Sequence, residues 1–283
     1  MNDNKFIMKR AGLICSLKCN LNCKLCAELS PYHSKDKFPP FSVLMEYVRK
    51  YFNIVDYVKI FVISGGEPLL YKELPNLLNE LLQYKERFGR VEIITNGTIL
   101  PSEDLLNAIK KYDCNSLKFI IDDYGDNLSR MFSEITALCD KNNISYNVNR
   151  YHTSNIHCAG WVDYGIPDKV IHTQKDAAEL LSKCANKTKL DFCFTIFEGK
   201  LVPCFQIINR MNLGRSVDER EYIDLTDNTV SIDEQRKKIM GIYNTDYLEI
   251  CSYCNGLCDD SERFTPAEQF TKEEIQQISK KTI

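Results

Sequence analysis

The stretch Cys19-Asn20-Leu21-Asn22-Cys23-Lys24-Leu25-Cys26 places three thiols within eight residues, just after the apolar run Ala11-Gly12-Leu13-Ile14. A short loop with this spacing can turn all three sulfurs toward one point. Soft thiolates select zinc, Cu(I) or iron–sulfur clusters over hard cations. A cubane cluster takes four ligands, and this loop supplies one fewer, which leaves an iron corner open to bind something else. Cys15, Cys19 and Cys23 are also evenly spaced, so a shifted ligand set is a second reading of the loop. In the first reading Cys15 is a buried thiol ending the strand. A structural zinc site or disulfides are the plainer alternatives, although zinc ribbons favour Cys-x2-Cys pairs in both halves.

A second apolar run leads into Ser64-Gly65-Gly66-Glu67-Pro68. Paired glycines let backbone groups approach a ligand closely, and Glu67 adds a carboxylate suited to an ammonium group. Alone, such a stretch reads as a turn. Together, the Cys-x3-Cys-x2-Cys loop and the Gly-Gly-Glu-Pro segment resemble the radical S-adenosylmethionine (SAM) superfamily. Cys19, Cys23 and Cys26 meet the family spacing. The family's aromatic residue before the third cysteine is Leu25 here. The resemblance implies a [4Fe-4S] cluster on those cysteines, with SAM bound to its open iron through the methionine amine and carboxylate. It places Gly65, Gly66, Glu67 and Pro68 at the amino end of SAM, and Thr95-Asn96-Gly97 near the ribose. That last segment also reads as a simple Asn-Gly turn. One-electron reduction would then yield a 5′-deoxyadenosyl radical that abstracts hydrogen from a substrate.

The elements that must position these groups alternate. Apolar, β-branched runs recur at 11–15, 58–64, 91–95, 117–122 and 145–149, separated by helical periodicity at 42–52, 74–88, 102–112 and 128–141. Ser102 caps one helix, with acids in its first turn, and Gly89 is expected to close the helix before it. This pattern predicts an α/β fold, a partial (β/α)6 TIM-like barrel, over residues 1–172. A small C-terminal α+β extension, a β-hairpin plus helix that binds a cluster, is expected over 173–283. Chemistry in such barrels sits where strands end. The cysteine loop, Gly65-Gly66-Glu67-Pro68, Asn96-Gly97, Asp122-Asp123 and Asn149-Arg150 all land on that rim. Asp122, Asn149 and Arg150 are candidate substrate residues, Arg150 because guanidinium grips carboxylates in bidentate fashion. Residues 152–172 lack periodicity and carry the chain's single tryptophan, Trp161; this loop is expected to cross the barrel mouth.

At 283 residues, 44% hydrophobic and 27% charged, the chain reads as one large domain or one plus a small one. A net charge of −3 favours neither nucleic acid nor an anionic membrane as partner. No apolar run approaches a membrane span, and Met1-Asn2-Asp3-Asn4-Lys5 lacks a signal core, which implies a cytoplasmic protein. Thirteen cysteines in a reducing compartment suggest metal rather than disulfides. Cys114, Cys139 and Cys158 stand apart and read as small buried hydrophobes.

The remaining cysteines lie between 184 and 258. Glu198-Gly199-Lys200 between apolar runs is a tight hairpin. Cys184, then Gly199, Cys204 and Cys251-Ser252-Tyr253-Cys254 resemble the Twitch and SPASM extensions of radical SAM enzymes, which hold auxiliary clusters. Too few thiols remain for two, so one auxiliary [4Fe-4S] cluster on Cys184, Cys204, Cys251 and Cys254 is expected. Zinc would suit four thiolates equally, and Cys258 competes for a ligand position. The end of the chain, 266–283, reads as a charged amphipathic helix and is assigned only packing.

The resemblance implies a radical SAM oxidoreductase acting on a small polar substrate. Twitch enzymes of this length resemble dehydrogenases of amino sugars and aminocyclitols, which oxidise a secondary alcohol to a ketone. A saturated auxiliary cluster would accept the electron, and flavodoxin or ferredoxin would supply the first one. The alternative is a maturase that crosslinks, epimerises or forms thioethers in a ribosomal peptide, with Cys193 or Cys258 as a hydrogen donor. Many such enzymes carry a leader-gripping N-terminal domain, for which the early first strand leaves no expected room. A non-catalytic metal scaffold would explain the cysteines but not Gly65-Gly66-Glu67-Pro68.

Overall fold

The computed structural model describes residues 5–33, 38–113 and 115–281. Five strands, β1 (Ile7–Ile14), β2 (Tyr57–Ser64), β3 (Phe88–Thr95), β4 (Leu117–Asp123) and β5 (Ser145–Arg150), pair in parallel and in order. Helices α1 (Phe41–Ile54), α2 (Leu74–Leu81), α3 (Glu103–Ile109) and α4 (Phe132–Lys141) fill the crossovers. Parallel strands covered by helices are buried on both faces and therefore apolar in near-continuous runs. Ala11, Leu13, Phe61, Ile63, Ile93 and Phe119 are fully buried. Helix α1 turns Leu44, Val48, Tyr51 and Phe52 inward, and Phe52 stacks on Tyr84 with ring centroids 4.4 Å apart. Ser102 caps α3, its hydroxyl accepting from the Leu105 amide at 3.2 Å.

After β5 the chain continues through α5 (Gln174–Lys183), α6 (Ala185–Thr188), β6 (Phe194–Phe197), β7 (Lys200–Val202) and α7 (Phe205–Asn212). It ends with β8 (Ile223–Asp224), α8 (Ile232–Tyr243) and α9 (Lys272–Lys281). The eight strands of the described residues form one open sheet in the order β5-β4-β3-β2-β1-β6-β7-β8. The mixed α/β architecture is that of a partial, unclosed TIM-like barrel. The sixth parallel strand, β6, lies beside β1, with Ala11 opposite Phe194 and Leu13 opposite Ile196. Strands β6 and β7 form the expected hairpin, turning at Glu198 (φ 45°) and Gly199 (φ 77°), the paired positive φ of a tight two-residue turn.

Two local expectations shift. The helix expected over 74–88 leaves α geometry after Leu81 and tightens into a 3-10 segment, Leu82–Arg87. Gly89 does not close it. It lies inside β3, where a side chain would come within 2.6 Å of the Lys59 carbonyl, so glycine lets β2 and β3 approach. Cys15 and Cys139 are buried as expected, whereas Cys158 is exposed; Cys114 lies outside the described residues. No helix among the described residues is long and apolar enough to cross a membrane.

Candidate functional site

The loop after β1 carries Cys19, Cys23 and Cys26 to the wall of a cavity of about 620 Å³ at the C-terminal ends of the strands. Cys15 hydrogen-bonds back into the sheet, its amide donating to the Ser64 carbonyl at 3.3 Å, and does not line the cavity. That geometry favours the register Cys19, Cys23, Cys26 over Cys15, Cys19, Cys23. Burial raises all three thiols, Cys19 to about 11, Cys23 to about 12 and Cys26 well above its ordinary value. Buried thiols stay protonated until a cation compensates them; coordination to iron does this and deprotonates the sulfur outright. N–H donors suited to thiolates are in place: Leu21 amide at 3.4 Å and Asn96 Nδ2 at 3.6 Å on Cys19, and Gln269 Nε2 at 3.1 Å on Cys23. Among the described residues, no three His, Cys, Asp or Glu side chains are close enough to share a single metal ion.

The glycine pair after β2 is locked against this loop. Gly66 and Glu67 amides donate to the Ser16 and Lys18 carbonyls, each at 2.9 Å. Gly65, Gly66 and Asn96 line the cavity, whereas Glu67, Pro68 and Thr95 stand behind its wall. The Glu67 carboxylate accepts from the Thr95 hydroxyl (2.9 Å) and from the amides of Asn96 (2.8 Å) and Leu69 (3.0 Å). Three donors favour the ionised form, yet full burial outweighs them and pushes the carboxyl up to about 7. Pro68 opens the short 3-10 turn that Glu67 caps. Glu67 thus ties the end of β3 to the glycine loop.

The rim of β4 and β5 divides the candidate substrate residues. Asp122 lines the cavity, accepting from Asn149 Nδ2 at 2.8 Å and from the Tyr124 hydroxyl at 3.4 Å. Asn149 and Arg150 do not line it. Arg150 pairs with Asp123 at 3.4 Å, with its guanidinium 5.7 Å from the Phe132 ring centroid. Sequence reasoning missed Tyr124, Tyr151 and Glu28. Tyr124 stacks on Tyr151 with centroids 5.1 Å apart, and Trp161 meets Tyr124 edge-on at 5.7 Å, forming an aromatic wall of the cavity. The lone tryptophan was the only sequence signal for this wall. Glu28, two residues past Cys26, also lines the cavity.

Burial pushes the Asp122 carboxyl up to about 6, against the pull of its two hydrogen bonds. The folded value lies above the unfolded one. Its contribution to stability is therefore complete below about pH 4 and lost as pH rises through about 6. Asp122→Asn is expected to flatten that segment of the stability profile. Anaerobic denaturant titrations of both proteins across the window check this: the wild-type midpoint should fall relative to the variant's between about pH 4 and 6, and parallel profiles would contradict it.

The second thiol group faces the same cavity. Cys184 ends α5, Cys204 precedes α7, and Cys251 and Cys254 flank the end of the 3-10 segment Glu249–Tyr253. All four line the cavity, as does Cys193, whereas Cys258 does not. Burial, then the neighbouring thiols, raises Cys204 and Cys251, and burial raises Cys254 to about 12. The Gly256 amide donates to Cys254 Sγ at 3.2 Å. Glu221 fixes this corner by accepting from the Glu249 and Ile250 amides. Asn209, on α7, reaches the cysteine loop, with Nδ2 donating to the Ala27 carbonyl at 2.8 Å.

Residues 13–151 match the sequence family described as the Radical SAM superfamily. No curated protein sequence matches the chain. Among solved structures, the chain is similar to BtrN in complex with AdoMet and 2-DOIA. Identity is 18% and the TM-score 0.51, over 94% of this chain and 99% of that one. It is also similar to anSMEcpe with bound AdoMet, at 17% identity and TM-score 0.52, over 97% of this chain and 96% of that one. A further anSMEcpe structure, with AdoMet and the Cp18Cys peptide, matches at 15% identity and TM-score 0.50, over 97% and 95%. These likenesses speak to the fold, and the family match to the domain. The matched residues 13–151 run from the end of β1 to the residue after β5 and include the cysteine loop and the glycine pair.

Proposed function

We propose that the protein is a radical SAM oxidoreductase that removes hydrogen from a small polar substrate, oxidising a sugar or aminocyclitol alcohol, with an auxiliary [4Fe-4S] cluster as electron acceptor. The supporting observation is that Cys19, Cys23 and Cys26, the Gly65-Gly66 pair, and Cys184, Cys204, Cys251 and Cys254 all line one cavity. The chemistry supplied by the bound groups is reductive cleavage of SAM to methionine and a 5′-deoxyadenosyl radical that takes a substrate hydrogen. The chain does the rest. Cys19, Cys23 and Cys26 hold the first cluster; Cys184, Cys204, Cys251 and Cys254 hold the second. Gly65, Gly66 and Asn96 present backbone and amide groups to SAM. Glu67, Pro68 and Thr95 keep that surface rigid from behind. Asp122, backed by Asn149, offers a carboxylate to substrate hydroxyl or amine groups, and the Tyr124, Tyr151 and Trp161 wall keeps water out. Arg150 acts through Asp123, not on the substrate directly. Flavodoxin or ferredoxin would deliver the reducing electron.

Peptide maturation is the second reading, favoured by the similarity to anSMEcpe with bound peptide. The two separate by isotope transfer. Reconstituted protein is incubated anaerobically with SAM, dithionite and substrates deuterated at carbinol carbons, alongside deuterated peptides. Deuterium in 5′-deoxyadenosine from a carbinol position is the expected result. Transfer only from peptides would overturn the alcohol reading.

A further inference from the structure

We propose that Gln269, on the C-terminal strap, is a positioning residue that donates a hydrogen bond to the Cys23 sulfur and raises the reduction potential of the cluster held by Cys19, Cys23 and Cys26. This rests on the assignment of a cluster to those cysteines.

The strap lies far along the chain from the cysteine loop but is paired with it. The Lys24 amide donates to the Glu268 carbonyl and the Phe270 amide to the Asn22 carbonyl, each at 2.8 Å, so Cys23 and Gln269 face each other as an antiparallel bridge. Lys24 Nζ adds ion pairs to Glu268 (2.8 Å) and Glu274 (3.6 Å). Phe270 packs edge-on against Tyr32, with centroids 6.2 Å apart. This arrangement is more than packing, because it fixes one amide completely. Gln269 Oε1 accepts from the Asn22 amide at 2.7 Å, a contact only the oxygen can make. Nε2 donates to the Ala267 carbonyl at 2.7 Å, a contact only the nitrogen can make. The amide therefore cannot be turned over, and its remaining N–H meets Cys23 Sγ at 3.1 Å, closer than the Leu21 and Asn96 donors to Cys19 at 3.4 and 3.6 Å. Gln269 does not line the cavity, so it reaches the sulfur from the outer side and leaves the SAM face free.

Reduction places an extra electron on the cluster and its thiolates. An N–H pointed at a thiolate stabilises the more negative state more, so it raises the potential. Removing that N–H should make the cluster harder to reduce while leaving its ligands in place.

The test is an EPR-monitored redox titration of the reconstituted holoenzyme, with dithionite as reductant. The relevant cluster is recognised by the change in its signal when SAM is added. Gln269→Leu should keep its iron and its SAM-responsive signal, with the one-electron reduction constant lowered about tenfold, about 59 mV downward. Gln269→Glu keeps the acceptor for the Asn22 amide but turns a carboxylate oxygen on the sulfur, and its potential should fall at least as far. Should Gln269→Leu lose the cluster, Gln269→Glu decides. A retained cluster of lowered potential supports the proposal. Wild-type potential in either iron-replete variant, or cluster loss in both, overturns it; the latter would make the strap purely structural. A wild-type protein without any SAM-responsive signal would instead overturn the cluster assignment itself.

Discussion

Cys23→Ala in the reconstituted protein is expected to lower 5′-deoxyadenosine formation from SAM by at least about a thousandfold. The reasoning starts from ligand number. On the proposed assignment three thiolates hold the open cluster, and the nearest other candidate, the Glu28 carboxylate 3.5 Å from the Cys26 sulfur, is a harder ligand than a thiolate. Glu28 lies two residues beyond Cys26, and Cys15 points back into the core with its amide on Ser64. Removing Cys23 leaves two ligands for a cluster that needs three and takes away the partner of Gln269. The electron source for SAM cleavage and the iron that would anchor SAM are lost together, so turnover falls and SAM binding weakens with it. Cys15→Ala is the matched control. It removes a buried sulfur that does not line the cavity, and activity should persist with only a modest stability loss. Chromatographic measurement of 5′-deoxyadenosine under dithionite checks both. Full activity in Cys23→Ala with loss in Cys15→Ala would establish the shifted ligand register.

Gly66→Ala is expected to be among the most damaging single methyl additions near the site, costing about 3 kcal/mol or more of stability together with SAM binding. A Cβ at this position would sit 2.2 Å from the Lys18 carbonyl oxygen, 2.4 Å from its carbon and 2.6 Å from the Leu17 oxygen. These are backbone atoms of the cysteine loop and cannot swing aside as a side chain can. Relief requires the loop to move away from Gly66 and to break the Gly66–Ser16 and Glu67–Lys18 hydrogen bonds. Cys19 follows Lys18 directly, so the displacement reaches the first ligand. Gly241→Ala is the contrast. Gly241 lies in α8 with nothing within 4 Å of a would-be Cβ, and alanine there should stabilise by about 0.4–1 kcal/mol. Thermal unfolding of both variants, with SAM-responsive EPR for Gly66→Ala, measures the difference. A Gly66→Ala protein as stable as wild type would contradict the close approach of the two loops.

Much of this arrangement is legible in the chain because local pattern and chemistry coincide. The five strands and their crossover helices announce themselves by alternating periodicity. The first three thiols and the glycine pair fall where strands stop, so the C-terminal end of the sheet collects them. What stays hidden depends on pairings distant in sequence. Nothing around Phe194–Phe197 says that β6 will lie between β1 and β7, since the neighbour of a strand so late in the chain is chosen by the finished sheet. Gly89 reads as a helix stop until β2 is seen pressing against it. Arg150 has the chemistry of a carboxylate clamp, but Asp123 on the adjacent strand claims it first. Cys158 looks like its buried counterpart Cys139, and only the irregular stretch after β5 exposes it. Gln269 reads as part of a charged amphipathic helix assigned only packing, whereas α9 begins at Lys272 and leaves it on a strap. Its partner lies 246 positions earlier in the chain, beyond any local signal.

The central claim is that one cavity holds two clusters with divided ligand sets, and anaerobic iron and sulfide content tests it most directly. Wild type should hold about eight irons and eight sulfides, and the Cys19/Cys23/Cys26→Ala triple variant about four of each, with no SAM-responsive signal. About four irons in wild type falling to none in the variant would contradict the account, because the chain would then have no auxiliary acceptor for the second electron of an alcohol oxidation.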